Sequence, residues 1–234
     1  MIKKTFLISI LSIFSIHAQI ENIIKDLSKE KNKSISEKEV SKGLKEALTI
    51  GVTKSCEKAS NIDGFLKNDL IKIKFPEEAK KIKKSLKKIG LEKQVNDFTI
   101  SMNRAAEEAS KDASQILLKS IKNMNINNAL SILNGEENSA TTYLYNQNHE
   151  DFKIKFKPII EKSISNNKVA TNWAKIMTTY NKIPLTEDIN PNINDYILEK
   201  TIDGIFVLIA QEERKIRENP ENRISELLKK VFNF

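Results

Sequence analysis

Apolar residues recur at three- and four-residue spacing along most of this chain, a period that predicts helices. Ser36 and Glu39 form a capping box, and beyond them Val40, Leu44, Ala47, Leu48, Gly51, Val52, Ser55, Cys56 and Ala59 trace one face of a helix over about 37–60. A second helix is expected from Pro76 to Ile89, stopped by Gly90. A third runs from Leu91 to about Met124 on a seam of Val95, Phe98, Met102, Ala105, Ala109, Ala113, Ile116 and Ser120, with a break expected near Ser110. Shorter helices are predicted at 127–133, 138–146, 149–165 and 169–181, with Pro158 kinking or restarting the third of these. In the last third a helix over 195–218 has a stretch, 204–210, that is apolar all round, the mark of a helix wrapped by others, and 224–232 closes the chain.

One segment follows a different period. In LIKIKFPEE, Ile71, Ile73 and Phe75 alternate with Lys72 and Lys74, which predicts an extended stretch laid over helices or a minimal ladder with residues near 183–186. The expected fold class is all-α: a single irregular multi-helix bundle around a central apolar helix, with at most one minimal β segment. Gly51 and Gly204 fall inside helices, where each costs about 1 kcal/mol relative to Ala, so close helix–helix or helix–ligand approach is expected at both.

The first residues belong to another class of segment. Lys3 and Lys4, the apolar run 5–16 and the small Ala18 read as a secretory signal peptide, residues 1–18, cleaved after Ala18. The run is shorter than the roughly 20 residues that span a bilayer, so an exported, periplasmic protein without a transmembrane anchor is expected. Residues 19–36 form a polar leader and 37–234 one helical domain, with no repeat and no linker to divide it.

Composition sharpens this picture at three points. The chain carries a net +8, and +6 once Lys3 and Lys4 leave with the leader. Cys56 is the single cysteine, so an intramolecular disulfide is impossible, and its place on the apolar stripe predicts a buried, inert thiol. Arg104, Arg214, Arg217 and Arg223 are the only arginines beside thirty-five lysines. Arginine kept in a lysine-rich chain points to the planar, bidentate fork that lysine lacks.

The segment MNRAAEEASKDA puts Asn103, Arg104, Glu107 and Glu108 within helical reach of one another in the middle of an alanine-rich helix. Three readings follow: a solvated ion-pair ladder, an Arg–Glu network pinning this helix to the AQEERKIR helix through Glu212, Glu213, Arg214 and Arg217, or a ligand site between the two. The four glutamates also raise two-carboxylate hydrolysis as an alternative. No Glu-x-x-His accompanies them, and His149, alone in a polar segment, reads as a surface or capping residue, so neither a metal nor another cofactor is expected. There is no phosphate-binding Gly loop, Cys-x-x-Cys or nucleophile elbow. EEAKKIKKSLKKIGLEK sets Ala79, Ile82, Leu86 and Ile89 on one face and Lys80, Lys81, Lys83, Lys84, Lys87 and Lys88 on the rest, a basic amphipathic helix suited to anionic lipid or another envelope component, or a plain solvated face. Export and the lack of interleaved aromatics argue against nucleic acid. The sequence sets no oligomeric state.

In this order, GLKEALTIGV, GFLKND, IKIKFPEE, MNRAAEEA, ILNGEENSATTYL, KPII, DGIFVLIAQEERKIRENPENR and LLKKVF resemble the bacterial secreted family catalogued as domain of unknown function 4197, over roughly residues 37–232. The resemblance implies a compact helical domain exported by Gram-negative bacteria and no agreed activity. Asn128 stands where similar proteins lead one to expect an acid, so no charge-dependent role is implied for that turn. The functional expectation is a non-catalytic periplasmic binding or envelope-associated protein, with a hydrophobic-ligand or lipid carrier and a glutamate-based hydrolase as alternatives.

Overall fold

The computed structural model describes residues 35–184 and 191–233. The expected signal peptide, almost all of the polar leader and part of the 183–186 segment lie outside the described residues. Four long helices make the frame: α1 (Glu37–Ser60), α3 (Glu92–Asn123), α5 (Ser139–Asn166) and α7 (Ile193–Glu218), each packed on the next and α7 back on α1. Short elements close the frame, namely α2 (Lys80–Lys88, after a 3-10 turn at Glu77–Ala79), α4 (Ala129–Leu133), α6 (Val169–Tyr180) and α8 (Glu226–Val231). The all-α bundle is the one the hydrophobic period predicts, and no strand occurs among the described residues.

The apolar stretch 204–210 shares the centre with the other three long helices. Gly204, Ile205, Phe206, Leu208 and Ile209 are buried, while Val207 is 40% exposed and Ala210 half-buried, because this side of α7 floors a surface groove. Two predicted breaks are absent. Ser110 is fully buried in an unbroken α3 because its hydroxyl donates to the Ala106 carbonyl at 2.7 Å, satisfying itself within the turn. Pro158 lies inside α5, and the carbonyl it leaves without a donor belongs to Ile154, a residue 72% exposed on the solvent side of the helix, where such a loss costs least, and the helix continues. The 138–146 and 149–165 helices are therefore one.

The connection 61–76, a strap between α1 and α2, holds Phe65, Ile71, Ile73 and Phe75 against the bundle. Phe75 meets the edge of Phe98 at 5.5 Å, and Trp173 of α6 covers Phe98 at 5.0 Å. Ile71 ends a turn, and residues 72–75, predicted to be extended, lie in neither helix nor strand; the strap joins no ladder among the described residues, because its backbone finds side-chain partners on α3.

Gly204 is a true close approach: a Cβ there would lie 2.7 Å from the Phe65 ring. At Gly51 the nearest atom, on Ile209, would be at 3.4 Å, ordinary contact, so the expected tight approach is not made there. Gly43, unremarked in the sequence, is a second close approach: a Cβ there would lie 2.7 Å from Val231 of α8. Cys56 is buried as expected, and burial pushes its thiol up to about 12.

Candidate functional site

Asn103, with no exposed surface, faces the strap. Its Oδ1 accepts from the Ile73 N–H at 2.9 Å, and its Nδ2 donates to the Ile73 carbonyl and the Thr99 carbonyl at 2.8 Å each. One turn on, Glu107 Oε1 accepts from the backbone N–H groups of Phe65 and Leu66, both at 3.1 Å. Glu107 Oε2 takes Arg104 Nη1 at 2.6 Å, and Arg104 Nη2 reaches Asp63 at 2.8 Å. Asp63 sits at φ +69, a left-handed turn after α1, and hydrogen bonds from Lys67 and then Arg104 hold its carboxyl below the ordinary 3.8. Asn103, Arg104 and Glu107 are thus a socket for a loop that has no sheet to join, since a buried peptide group must find some partner. Glu108 turns the other way, to Asn166 and Asn167 at the end of α5, at 2.6 Å each.

Glu213 and Arg217 of α7 form a second, separate network. Glu213, 1% exposed, accepts from Ala140 N–H at 3.0 Å and from Thr141 N–H and Oγ1 at 2.7 and 2.6 Å. Asn138 makes no side-chain bond as the cap of α5, so a carboxylate from another helix satisfies the orphan amides and complements the dipole. Arg217 binds Glu213 at 2.9 Å, donates to the Leu133 and Ile132 carbonyls that end α4 at 2.6 and 3.1 Å, and lies over the Phe232 ring. Arg223 caps α7 itself, donating to the Ile216 and Arg217 carbonyls at 3.0 and 2.8 Å.

The expected network from Arg104 to the 212–217 segment is therefore not formed. Arg104 is taken by the strap, and Arg217 by Glu213 and the end of α4. Glu212 instead pairs with Lys54 and Lys215, and Arg214 lies at the surface with Glu137 and Glu218. The eight candidates thus separate into several places, and every carboxylate among them is already bonded. Arg223 was the arginine left without an assignment, and its position next to the Pro220 turn that ends α7 was the available signal. No group of acids, His and Cys that could hold a metal ion occurs among the described residues. His149 departs from the surface reading: it is half-buried between α5 and α7, with Tyr145 stacked on its ring at 4.5 Å and Glu150 and Glu199 each 3.3 Å from a ring nitrogen, the latter off the hydrogen-bond direction.

Two spaces matter for binding. A small, half-open apolar pocket among Ala113, Leu117, Phe152, Phe156, Ile205 and Phe206 measures about 20 Å³, room for one water-sized body. Between α5 and α7 an open groove of about 410 Å³ has an apolar floor at Phe206, Val207 and Ala210 and a polar rim at Asn138, Thr142, Tyr145 and Asp203. Tyr145 donates its hydroxyl to Asp203 at 3.2 Å, and burial with that neighbouring carboxylate pushes the phenol up to about 12, so it stays a donor.

Fold and geometry define a helical bundle whose buried charges brace loops and helix ends. The chain belongs to the family described as Protein of unknown function (DUF4197), whose model matches residues 34–233. No curated protein and no solved structure matches it. Among the described residues no helix is long and apolar enough to cross a membrane.

Proposed function

We propose that this chain is a non-catalytic binding protein of the cell envelope, exported through the leader that Lys3, Lys4 and the apolar run 5–16 form. Its ligand is a small amphiphile held in the α5–α7 groove. One observation carries the reading: the acids and arginines that would do chemistry are bonded to backbone amides, carbonyls and one another, whereas the groove keeps an apolar floor open to solvent. Acid–base work needs a carboxylate free to exchange a proton with substrate. Glu107 and Glu213 instead act as fixed acceptors.

The groove falls in the size range of small-molecule sites, which pair apolar walls with a few placed polar groups. Phe206, Val207 and Ala210 would take the apolar part, and Asn138, Thr142 and Asp203 the polar end. The apolar pocket beside Phe152 and Phe156 is too small for an acyl chain, so a carrier that encloses its lipid is the weaker form of the idea. Titration with the neutral fluorophore phenylnaphthylamine tests it. Saturable binding that falls at least about tenfold in Val207→Arg, at unchanged helix content, supports the groove, in line with losing roughly 1.4 kcal/mol of contact. Binding equal in the two proteins refutes it.

A further inference from the structure

We propose that the outer face of α2 is a docking surface for an anionic phospholipid bilayer. Six of the nine residues of α2 are lysine and none is acidic. Lys80 and Lys84, Lys83 and Lys87, and Lys84 and Lys88 are like-charge pairs one turn apart, an arrangement that weakens a helix. What holds it is its apolar face, since Ala79, Ile82 and Leu86 are fully buried against α3 and α6. The lysines are thereby presented outward from a fixed scaffold.

That burial corrects the amphipathic-helix expectation. Ile82 and Leu86 belong to the core and are not free to enter lipid, so the contact is made by ammonium groups on headgroups. Glu77 and Glu92 offset Lys80 and Lys87, and Lys83 lies over the Phe75 ring at 6.0 Å. Lys84 and Lys88, both exposed, have no ion pair among the described residues. Elsewhere some lysines pair with acids on their own or a neighbouring helix, as Lys93 does with Asp97, Lys153 with Glu199 and Lys229 with Glu226, so what marks α2 is the density of lysines on one short helix. From Asn61 to Lys93 ten lysines face five acids, so most of the chain's excess charge is gathered in this stretch of the sequence. Ile89, 51% exposed beside Lys88, adds a shallow apolar contact at the helix end. A lipid surface fits this set better than nucleic acid, because the outward face of α2 offers no ring to stack on a base.

The surface does not depend on the groove and is tested apart from it. The chain lacking residues 1–18 is sedimented with vesicles of phosphatidylglycerol and phosphatidylcholine, and with vesicles of phosphatidylcholine alone. Binding to the first that weakens with salt, and falls about fivefold for each of Lys84→Ala and Lys88→Ala, is expected. Lys229→Ala should sediment like wild type, and phenylnaphthylamine binding should survive in the α2 variants. Equal binding to both vesicle types, or α2 variants that sediment like wild type, overturns the proposal. So does retention on duplex DNA at salt concentrations that release the vesicles.

Discussion

Asn103 pairs with Ile73 as one strand residue pairs with another, giving an acceptor to its N–H and a donor to its carbonyl from a single carboxamide on a helix. A peptide-like side chain thus replaces the missing neighbouring strand. Asn103→Ala should destabilise the protein by about 2–4 kcal/mol, since it strands two buried backbone groups at roughly 1–3 kcal/mol each. Asn103→Asp should be at least as harmful, because a carboxylate cannot donate to Ile73 or Thr99. Urea unfolding followed by circular dichroism measures both.

Arg217 tests why arginine is kept. It serves Glu213 and two carbonyls of α4 at once, a geometry set by a planar fork. Arg217→Lys should therefore lose nearly as much stability as Arg217→Ala, about 3–5 kcal/mol, the usual loss when one member of a buried pair is removed. The same exchange at Arg214, exposed among Glu137 and Glu218, should change stability by less than about 0.5 kcal/mol. Urea midpoints of the two lysine variants decide it.

The two helical glycines part company. Gly204→Ala drives a methyl group into Phe65 and should cost about 1–3 kcal/mol by overpacking. Gly51→Ala meets only ordinary contacts and should be stabilising by up to about 1 kcal/mol through helix propensity. Thermal melting of both variants separates a shared packing role from this split.

Asp63 gives the strap a pH dependence. Its carboxyl is held below the ordinary value by Lys67 and Arg104, so it contributes stability above that value and loses it as pH falls through the folded one. Wild type should therefore lose more melting temperature than Asp63→Asn on acidification below about pH 4. Asparagine tolerates the left-handed backbone at this position, which keeps the comparison clean. Parallel curves would remove the linkage.

Helix positions were legible because burial on one face writes its period into the sequence, and α1, α3 and α7 follow it closely. The meaning of Asn103 and Glu107 was not, because their partners are backbone groups thirty or more residues away that carry no side-chain signature. The same holds for Glu213, whose targets are the bare amides at the start of α5. Pro158 misled because a helix breaker is tolerated where its lost bond faces water. At Asn128, where an acid was expected, the φ of +55 at the start of α4 gives a conformational reason for asparagine. The groove was invisible as such, since Val207 and Ala210 look no different in sequence from their buried neighbours.

The central claim is that Asn103, Arg104 and Glu107 of α3 are a socket for the strap and not a reaction site. Amide hydrogen exchange in wild type, Asn103→Ala and Glu107→Ala, which removes the acceptor altogether, tests it most directly. The account predicts protected amides at Phe65, Leu66 and Ile73 in wild type, selective loss at Ile73 in the first variant and at Phe65 and Leu66 in the second. Unchanged protection at all three positions in both variants would contradict it.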